Sequence, residues 1–275
     1  MENLLKIFII SGLFMYFFSC GNKSTVKQDE KEKRWELVWS DEFNYEGLLD
    51  ENKWDYDGGG GGWGNAEQQF YTAYDTETAR VSNGVLVIEA HKKWHLGMPY
   101  KSARVVTRGK FDFLYGRVEV RAKLPKGRGV WPAIWMMPSE QKYGGWPSSG
   151  EIDIMEMVGH EQDVIHMSIH TESFNHKIGT HKTFYTFLQG ASDDFHIYGV
   201  EWYSDRIDFF IDENKYFTFK KIADNYKVWP FDQKFYLIMN IAIGGTWGGA
   251  KGIDNSIFPQ RMEVDYVRIY KLAGQ

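Results

Sequence analysis

Three carboxylic acids lie within six positions of an otherwise apolar segment, GEIDIMEMVGH (150–160). In a strand, alternate side chains share a face, so Glu151 and Asp153 face one way and Glu156 faces the other. A β-bulge with Met155 as its extra residue would shift the register and return Glu156 to the face of the other two acids. The segment therefore predicts three acids on one side of a sheet. Such an arrangement repels itself, which indicates that the acids are used in chemistry.

Two carboxyl groups on one face could hydrolyse a glycosidic bond with retention of configuration. One carboxylate attacks the anomeric carbon, and the other, about 5 to 5.5 Å away, protonates the leaving oxygen and then activates water. Across a bulge the Cα atoms of Glu151 and Glu156 would lie roughly 13 Å apart, so strand curvature and long side chains must close the gap. Asp153 between them would hold a proton and raise the pKa of the acid/base. Spacing alone does not say which glutamate attacks.

The chain on both sides of these acids has the pattern of strands. RVEVRAK (117–123) alternates strictly, with Val118, Val120 and Ala122 on one face and charges on the other. RIDFFIDENKYFTF (206–219) is typical of a hairpin that turns at residues 212–215. Further strands are predicted at 85–90, 164–170, 195–203, 236–243 and 264–270. Many short strands with Gly and Asn between them, and no long amphipathic helix, predict an all-β sandwich or barrel.

The composition is that of an acidic, aromatic-rich globular protein. Of 275 residues, 43% are hydrophobic and 17% aromatic, which is ample for a core and suits proteins that stack flat rings on sugars. The net charge of −5 argues against a nucleic-acid partner, because a phosphate backbone needs a basic surface. The glycine-rich segment DGGGGGWGNAEQQFY (57–71) lacks the Lys-Ser/Thr of a phosphate loop. We interpret it as a flexible loop beside a cleft, with Trp63 free to move onto a ligand.

The N-terminal residues are predicted to be a targeting segment. Lys6 precedes an apolar run, 7–18, that is too short to span a membrane. The run ends at Ser19-Cys20-Gly21, which resembles a bacterial lipoprotein signal in which Cys20 is lipidated. The alternative is an ordinary secretory signal that ends near Cys20. We expect a signal at 1–20, a flexible polar tether at 21–33 and a catalytic domain at 34–275. Cys20 is the only cysteine, so no intramolecular disulfide is expected.

The acidic motif and several further segments together resemble glycoside hydrolase family 16. GEIDIMEMVG resembles the family signature in its bulged form, which has an extra residue before the last glutamate. The further segments are DEFNYEGLLDENKW, GWGNAEQQFYT, SARVVTRGKFDFLYGRVEVRAKLPKGRGVWPAIWMMP, FHIYGVEW and NIAIGGTWGG, so the resemblance covers about residues 35 to 271. It implies a β-jelly-roll sandwich of two antiparallel sheets, a substrate cleft across the concave sheet and a retaining mechanism. The bulged motif resembles laminarinase-type members of the family.

The resemblance orders the roles of the acids and adds residues that bind substrate. It implies that Glu151 is the nucleophile, Glu156 the acid/base and Asp153 the assisting acid. Asn65 and Arg104 match positions that hydrogen-bond sugar hydroxyls on the non-reducing side. The alternative for Arg104 is a structural ion pair.

The resemblance implies two tryptophans at the cleft, and two further tryptophans and one histidine are candidates beside them. Trp135 is expected to stack at the subsite next to the scissile bond, with Trp131 close by. Trp146 and Trp247 are expected to line the cleft, and the alternative for all of these tryptophans is packing in a sandwich core. His170, on the strand next to the acids, is expected to touch substrate or the acid/base.

Metal ions are expected to play no part in the chemistry. Several histidines lie at 160–181, but HEQDV (160–164) is not the helix-borne pattern of a zinc hydrolase. No cofactor is therefore expected for catalysis. The family resemblance does imply a structural Ca²⁺, with ligands at Glu42 and Asp265 and a backbone carbonyl such as that of Gly84.

The family resemblance, with its bulged motif, implies a retaining endo-β-glucanase that cleaves β-1,3 linkages, in laminarin-like β-1,3-glucan or in mixed-linkage β-1,3/1,4-glucan. One alternative is a galactan-active relative of the agarase or carrageenase type, although sulfated substrates would call for a basic cleft. Another is a non-catalytic glucan-binding protein, although such proteins typically lack one of the acids. We expect a monomer with a polysaccharide substrate and no nucleic-acid partner. It would be extracytoplasmic and would contact a bacterial membrane through its lipid anchor alone.

Overall fold

The computed structural model describes residues 35–274. The predicted signal at 1–20, with Cys20, and the predicted tether at 21–33 lie outside the described residues. Regular structure in the described part consists of 17 strands and one short 3₁₀ helix, His176–Ile178. No helix within 35–274 is long and apolar enough to cross a bilayer. The prediction of an all-β chain is confirmed.

Most strands belong to two antiparallel sheets, of which one is here called the outer sheet. Its strands are β1 (Trp35–Asp41), β4 (Ala79–Ser82), β5 (Val85–Ala90), β8 (Gly116–Lys123), β13 (His196–Trp202), β14 (Arg206–Ile211), β15 (Asn214–Lys220) and β17 (Gln260–Leu272). The order across this sheet is β15-β14-β13-β8-β17-β5-β4, and β1 also pairs with β17. The last strand of the chain therefore lies in the interior of the outer sheet.

The other large sheet carries the acidic segment and is called the cleft sheet. Its strands are β2 (Asp55–Tyr56), β7 (Arg104–Val106), β9 (Val130–Pro138), β10 (Glu151–Glu156), β11 (Val164–His170), β12 (Lys182–Phe187) and β16 (Phe235–Ile243). They run in the order β12-β11-β10-β9-β16-β7-β2. A third, two-stranded parallel pair joins β3 (Gln69–Tyr71) to β6 (Tyr100–Ser102). This is the β-jelly-roll sandwich that the sequence predicted.

Side-chain alternation explains how the two sheets enclose a core. In β8, Val118, Val120 and Ala122 are fully buried, and the charged residues between them are partly exposed, as the sequence pattern predicted. All nine residues of β16 are buried, because alternate residues enter the main core while Tyr236 and Ile238 form a second apolar cluster with Val106. Asn240 is the polar residue of that strand, and its position matters for the site.

The predicted strands all occur, and apart from β17 and the hairpin turn their limits agree to within one residue. β17 begins at Gln260, several residues before the predicted start at 264, and pairs with β1, β5 and β8. The hairpin of β14 and β15 turns at residues 212–213, where Asp212 has a positive φ of 54°. The predicted turn at 212–215 is therefore two residues too long, because Asn214 already pairs with Ile211.

Candidate active site

A β-bulge in β10 places the three acids on one face of the cleft sheet. Asp153 lies opposite Trp135 of β9, and the next pair is Met155 with Ile134, so Ile154 has no partner there. Ile154 and Met155 are both buried in the core, and Glu156 returns to the open face. The predicted bulge is confirmed, although the unpaired residue opposite β9 is Ile154 and not Met155. The two bulge residues share one position opposite Ile134, and both fill the core.

Strand register lines up the acids with residues from the other strands. Directly paired residues of antiparallel strands have their side chains on the same face. One row of such pairs crosses the sheet through Glu156 and is called the Glu156 row; from β7 to β12 it contains Arg104, Asn240, Ala133, Glu156, His166 and Tyr185. A second row carries Trp135, Asp153 and Ser168, and Glu151 pairs with His170 beyond it. The open face is therefore a continuous surface from Arg104 to Tyr185.

Glu151 is held by an indole and lies beside an imidazole. Trp146 donates its Nε1–H to Glu151 Oε2 at 2.8 Å, and His170 Nε2 is 3.7 Å from Glu151 Oε1. Burial, followed by the negative charge of Asp153, raises the pKa of Glu151 to about 8. The predicted placement of Trp146 beside the acids agrees with this geometry, and its ring fixes the orientation of one carboxyl group.

Asp153 lies deepest of the three acids. It is 3% exposed, and its Oδ2 is 3.2 Å from His170 Nε2. Burial raises the pKa of Asp153, and a hydrogen bond with Glu151 partly offsets that effect. Ionising both of two neighbouring buried carboxyl groups costs much free energy. The pair therefore favours a state in which the two groups share one proton.

Glu156 faces the cleft beside a second indole. Trp131 donates its Nε1–H to Glu156 Oε1 at 3.1 Å. Burial raises the pKa of Glu156 well above its ordinary value, and the charges of Asp153 and Glu151 act in the same direction. A carboxyl group that keeps its proton near neutral pH can serve as a general acid.

His170 contacts the other two acids and not Glu156. It is 5% exposed, and its ring stacks on His181 with centroids 5.6 Å apart and an interplanar angle of 14°. His176 packs edge-on against His170 at 5.1 Å. The sequence analysis expects this side chain to touch substrate or the acid/base; register places it on the face of Glu151, in contact with Glu151 and Asp153.

Arg104 and Trp135 form one unit at the other end of the cleft. The guanidinium carbon of Arg104 lies 4.7 Å from the Trp135 ring centroid and 4.8 Å from that of Trp63. Arg104 also pairs with Asp57, with Nε 3.2 Å from Oδ2. Trp135 donates its Nε1–H to Asn240 Oδ1 at 2.8 Å. Arg104 thus has both the ion pair and the cleft position that the sequence left open, and these contacts orient the Trp135 ring.

Asn65 belongs to a buried polar network that continues to Asn240. Its Nδ2 donates to Glu67 Oε1 at 3.0 Å, and the Tyr71 hydroxyl donates to Glu67 Oε2 at 3.4 Å. Asn240 Nδ2 then donates to the Tyr71 hydroxyl at 3.0 Å. Burial raises the pKa of Glu67. The network ties the glycine-rich loop to the floor of the cleft.

Trp247 lies among the rings that border Glu156. Its centroid is 5.4 Å from that of Trp131, in a T-shaped contact, and 4.8 Å from that of His166. Since Trp131 holds Glu156, Trp247 supports the acid through that indole. The structure therefore brings together Trp131, Trp247 and His166.

The three positions expected to bind calcium lie apart from this site, on the outer sheet. Glu42 follows β1 and forms a bidentate ion pair with Arg268, at 2.7 and 2.9 Å. Asp265 of β17 pairs with Arg121 at 2.6 Å. Gly84 is in the turn between β4 and β5, next to β17. Register places Glu42, after the end of β1, and Gly84, before the start of β5, next to Asp265 in β17. Both carboxylates already have arginine partners, so they fit a calcium ion poorly unless those ion pairs open.

One group of side chains in the described part could hold a metal with three His, Asp or Glu ligands. It consists of Glu151, Asp153 and His170, whose ligand atoms all lie within 4.8 Å of one another. Two of these are the acids of the cleft motif.

Several residues of the site escaped the sequence analysis. Asn240 and Glu67 orient Trp135 and Asn65, and Asp57 orients Arg104. A signal existed for Asn240, because it is one polar residue in the apolar run YLIMNIAI. Asp57 and Glu67 flank a glycine-rich loop, and nothing in their local pattern distinguishes them from solvated loop residues.

A β-sandwich with acids paired to indoles in an aromatic-lined cleft is the architecture of a carbohydrate-active hydrolase. The chain belongs to glycoside hydrolase family 16: residues 66–268 match the family model described as Glycosyl hydrolases family 16. Retention of configuration is characteristic of this family.

Curated proteins and solved structures resemble the chain over most of its length. A "Beta-glucanase" from Rhodothermus marinus is 52% identical over 251 residues, which cover 89% of this chain and 88% of the relative. The X-ray structure of the laminarinase from Rhodothermus marinus superposes with a TM-score of 0.86 at 51% identity, over 88% of this chain and 100% of that one. A non-specific endo-beta-1,3(4)-glucanase of the same family gives a TM-score of 0.83 at 46% identity, over 86% and 91%.

Proposed function

We propose that the protein is a retaining endo-β-glucanase that hydrolyses β-1,3 linkages in β-1,3-glucan or in mixed-linkage β-1,3/1,4-glucan. The observation that carries this proposal is the bulge in β10, which brings Glu151, Asp153 and Glu156 onto one open face of the cleft sheet. The family and the relatives named above agree with this activity. The test is hydrolysis of laminarin, barley glucan, lichenan, agarose and carrageenan, with the oligosaccharide products identified.

Glu151 acts as the nucleophile in this proposal. Its carboxylate attacks the anomeric carbon and forms a covalent glycosyl-enzyme intermediate. Trp146 fixes one carboxyl oxygen through its indole N–H, which leaves the other oxygen, beside His170, to move onto the sugar. Because burial and Asp153 raise the pKa of Glu151, the site must place the proton elsewhere before attack.

Asp153 receives that proton in the proposed mechanism. It lies between the two glutamates, is almost fully buried and has a hydrogen bond with Glu151. A protonated Asp153 can donate to the Glu151 carboxylate and stabilise its charge until the covalent bond forms. His170 Nε2 lies 3.7 Å from Glu151 Oε1 and 3.2 Å from Asp153 Oδ2, so it helps to hold the two carboxyl groups beside each other.

Glu156 acts as the general acid and then as the general base. It protonates the leaving glycosidic oxygen and afterwards takes a proton from the water that attacks the intermediate. Its raised pKa keeps it protonated for the first step, and loss of the Glu151 charge in the intermediate lowers that pKa for the second. Trp131 orients its carboxyl group throughout.

Two alternatives make different predictions in the same assay. A non-catalytic glucan-binding protein would bind laminarin without releasing reducing sugar. A galactan-active enzyme would cut agarose or carrageenan in preference to laminarin. The acidic net charge of −5 favours an uncharged glucan over a sulfated galactan.

The calcium ion is a structural proposal only. Glu42, Asp265 and the Gly84 carbonyl would hold it, and its role would be to join β1, β17 and the β4–β5 turn. Binding would require Glu42 and Asp265 to leave Arg268 and Arg121. A rise in melting temperature on adding Ca²⁺ would support the site, and an unchanged melting temperature after EDTA and after Ca²⁺ would contradict it.

We also propose that the enzyme is a monomer attached to a bacterial membrane by a lipid on Cys20. The sequence around Cys20 supports the anchor, and residues 21–33 would act as the tether. Cells labelled with a radioactive fatty acid should yield a labelled protein, and Cys20→Ser should remove the label. A wild-type protein that is unlabelled and freely soluble in the medium would exclude the anchor.

A further inference from the structure

Two large aromatic side chains are exposed on β12, the edge strand of the cleft sheet. Tyr185 is 64% exposed and Phe187 is 67% exposed. Neither has a role in the site described above, although β12 is only two strands away from the acids of β10. Two neighbouring exposed rings on one edge strand need an explanation, because few of the large aromatics in the described part are this exposed.

Strand register shows that both rings belong to the face that carries the acids. Tyr185 pairs with His166, and His166 pairs with Glu156, so Tyr185 is the β12 member of the Glu156 row. Phe184, one position earlier, faces the other way, since its ring stacks on Phe217 of the outer sheet with centroids 6.3 Å apart. By alternation Phe187 points to the same open face as Tyr185.

A series of ring contacts connects Tyr185 to the catalytic acid. The Trp131 indole that donates to Glu156 contacts Trp247 at 5.4 Å, and Trp247 contacts His166 at 4.8 Å. The His166 and Tyr185 centroids are 5.6 Å apart, with an interplanar angle of 34°. The rings thus form an uninterrupted aromatic surface from the acid to the edge of the sheet.

We propose that Tyr185 and Phe187 form a sugar-binding subsite on the leaving-group side of the cleft, for glucosyl residues beyond the one that Glu156 protonates. This inference rests on the proposed function, in which Asn65 and Arg104 bind the non-reducing part of the chain. Arg104 and Tyr185 occupy opposite ends of the Glu156 row. A glucan that lies along this row with its non-reducing part at Arg104 places its reducing part over Tyr185.

The chemistry of Tyr185 and its distance from Glu156 fit such a ligand. Tyr185 is two strand spacings from Glu156, or about 10 Å, and one sugar with its linkage spans a length close to one spacing. The second sugar beyond the cleaved bond therefore reaches Tyr185. A flat ring stacks on the apolar face of a pyranose, and the tyrosine hydroxyl can hydrogen-bond to a sugar hydroxyl at its edge.

The test compares a long substrate with a short one. The long substrate is a β-1,3-gluco-oligosaccharide labelled at its reducing end. The short substrate is an aryl β-glycoside of the β-1,3-linked glucose disaccharide, and its aryl leaving group does not reach β12. The variants are Tyr185→Ala, Phe187→Ala and Tyr185→Phe. The control is Ile222→Ala, which removes an exposed apolar side chain just after β15 of the outer sheet. Melting temperatures check that each variant is folded.

The inference predicts a change in the ratio of the two kcat/KM values. Tyr185→Ala and Phe187→Ala should each lower the ratio of long to short substrate by about two- to tenfold, the range for a lost aromatic stacking contact. Cleavage of the labelled oligosaccharide should shift toward release of shorter reducing-end fragments. Tyr185→Phe should keep most of the ratio, and Ile222→Ala should keep all of it.

Two results would overturn the inference in distinguishable ways. If the wild type hydrolyses both substrates and the ratio and cleavage pattern of the two alanine variants are unchanged, the subsite is absent and the proposed function stands. If the folded wild type hydrolyses neither substrate, nor laminarin, nor the mixed-linkage glucans, the proposed function fails, and the subsite fails with it.

Discussion

At the scale of the residue, the site is a set of acids whose charges are made costly by burial and by each other. Each of the three acids has a raised pKa, and burial is the largest cause in every case. Two of them have an indole N–H as partner, and the third, Asp153, lies beside His170. These contacts orient the carboxyl groups but do not neutralise them, so protons can move among them during reaction.

The first prediction separates the roles of the two glutamates. Glu151→Ala should abolish hydrolysis in a folded protein, and azide should restore turnover with inverted product, because azide attacks from the vacated side while Glu156 still protonates. Glu156→Ala should still form the covalent glycosyl-enzyme intermediate from an activated aryl glycoside. Azide should then react with that intermediate and give a product with net retention. The configuration of each glycosyl azide is measured by NMR. If the Glu151 variant gave the retained product and the Glu156 variant the inverted one, the roles would be reversed.

The second prediction concerns Asp153 and the pH profile. The charge of Asp153 helps to raise the pKa of Glu156. At the alkaline limb the proton shared by Glu151 and Asp153 has been lost, so Asp153 is charged there. Asp153→Asn removes that charge, so Glu156 should lose its proton at lower pH and the alkaline limb of kcat/KM should move down by about one pH unit. Asp194→Asn, an exposed change of the same charge, should leave the profile in place. An alkaline limb that is unmoved or higher in Asp153→Asn would contradict this electrostatic coupling.

At the scale of the element, the bulge of β10 is what converts an alternating strand into a site. Ile154 and Met155 both enter the core, and Glu156 therefore faces the cleft. Without the extra residue, the face of every later side chain in the strand would change. The sequence could predict this because parity and the position of three acids are local properties of six residues.

The third prediction tests the bulge by removing one residue. Deletion of Ile154 should turn Glu156 toward the core, abolish activity and destabilise the fold by several kcal/mol, because a carboxylate would be buried among apolar groups. Ile154→Ala keeps the register and should cost about 2 to 5 kcal/mol while the folded fraction remains active. Activity and denaturant unfolding are measured for both variants. An active deletion variant would show that the bulge is dispensable.

Other parts of the site could not be predicted, since they depend on contacts between distant segments. The Tyr71–Asn240 hydrogen bond joins residues 169 positions apart in sequence, so local pattern carries no trace of it. Tyr185 was missed for a different reason. Aromatic residues occur on both faces of β12, at 184, 185 and 187, so alternation of hydrophobicity does not say which face is buried. Only the register with β11 and the packing of Phe184 on the outer sheet resolve it.

At the scale of the whole molecule, the buried acids of the site lower the free energy of unfolding, and packing of the core must offset this. The pKa of Glu151 is about 8 in the folded protein, against an ordinary value of 4.5. Between these two pH values the folded state retains a proton that the unfolded state releases, so the free energy of unfolding decreases as pH rises through this window. Above the window both states are ionised and the full penalty remains.

The fourth prediction follows from that sign. Glutamine at position 151 cannot ionise, so Glu151→Gln should raise the melting temperature at pH 8. The expected rise is about 2 to 4 °C for each kcal/mol of ionisation penalty removed, and the melting temperature at pH 4 should change little. Calorimetry at both pH values measures the difference. Glu213→Gln, in the exposed β14–β15 turn, serves as the control and should show no pH-dependent gain. A gain that is larger at pH 4 than at pH 8 would contradict the argument.

The interior position of β17 in the outer sheet bears on the order in which the chain can fold as it is made. β17 contains the last regular residues of the described part, yet β1, β5 and β8 all pair with it. Those earlier strands leave the ribosome long before their partner exists, so the sheet cannot close until residues 260–272 have been synthesised. A nascent chain stalled before residue 260 should therefore remain sensitive to protease along its whole length.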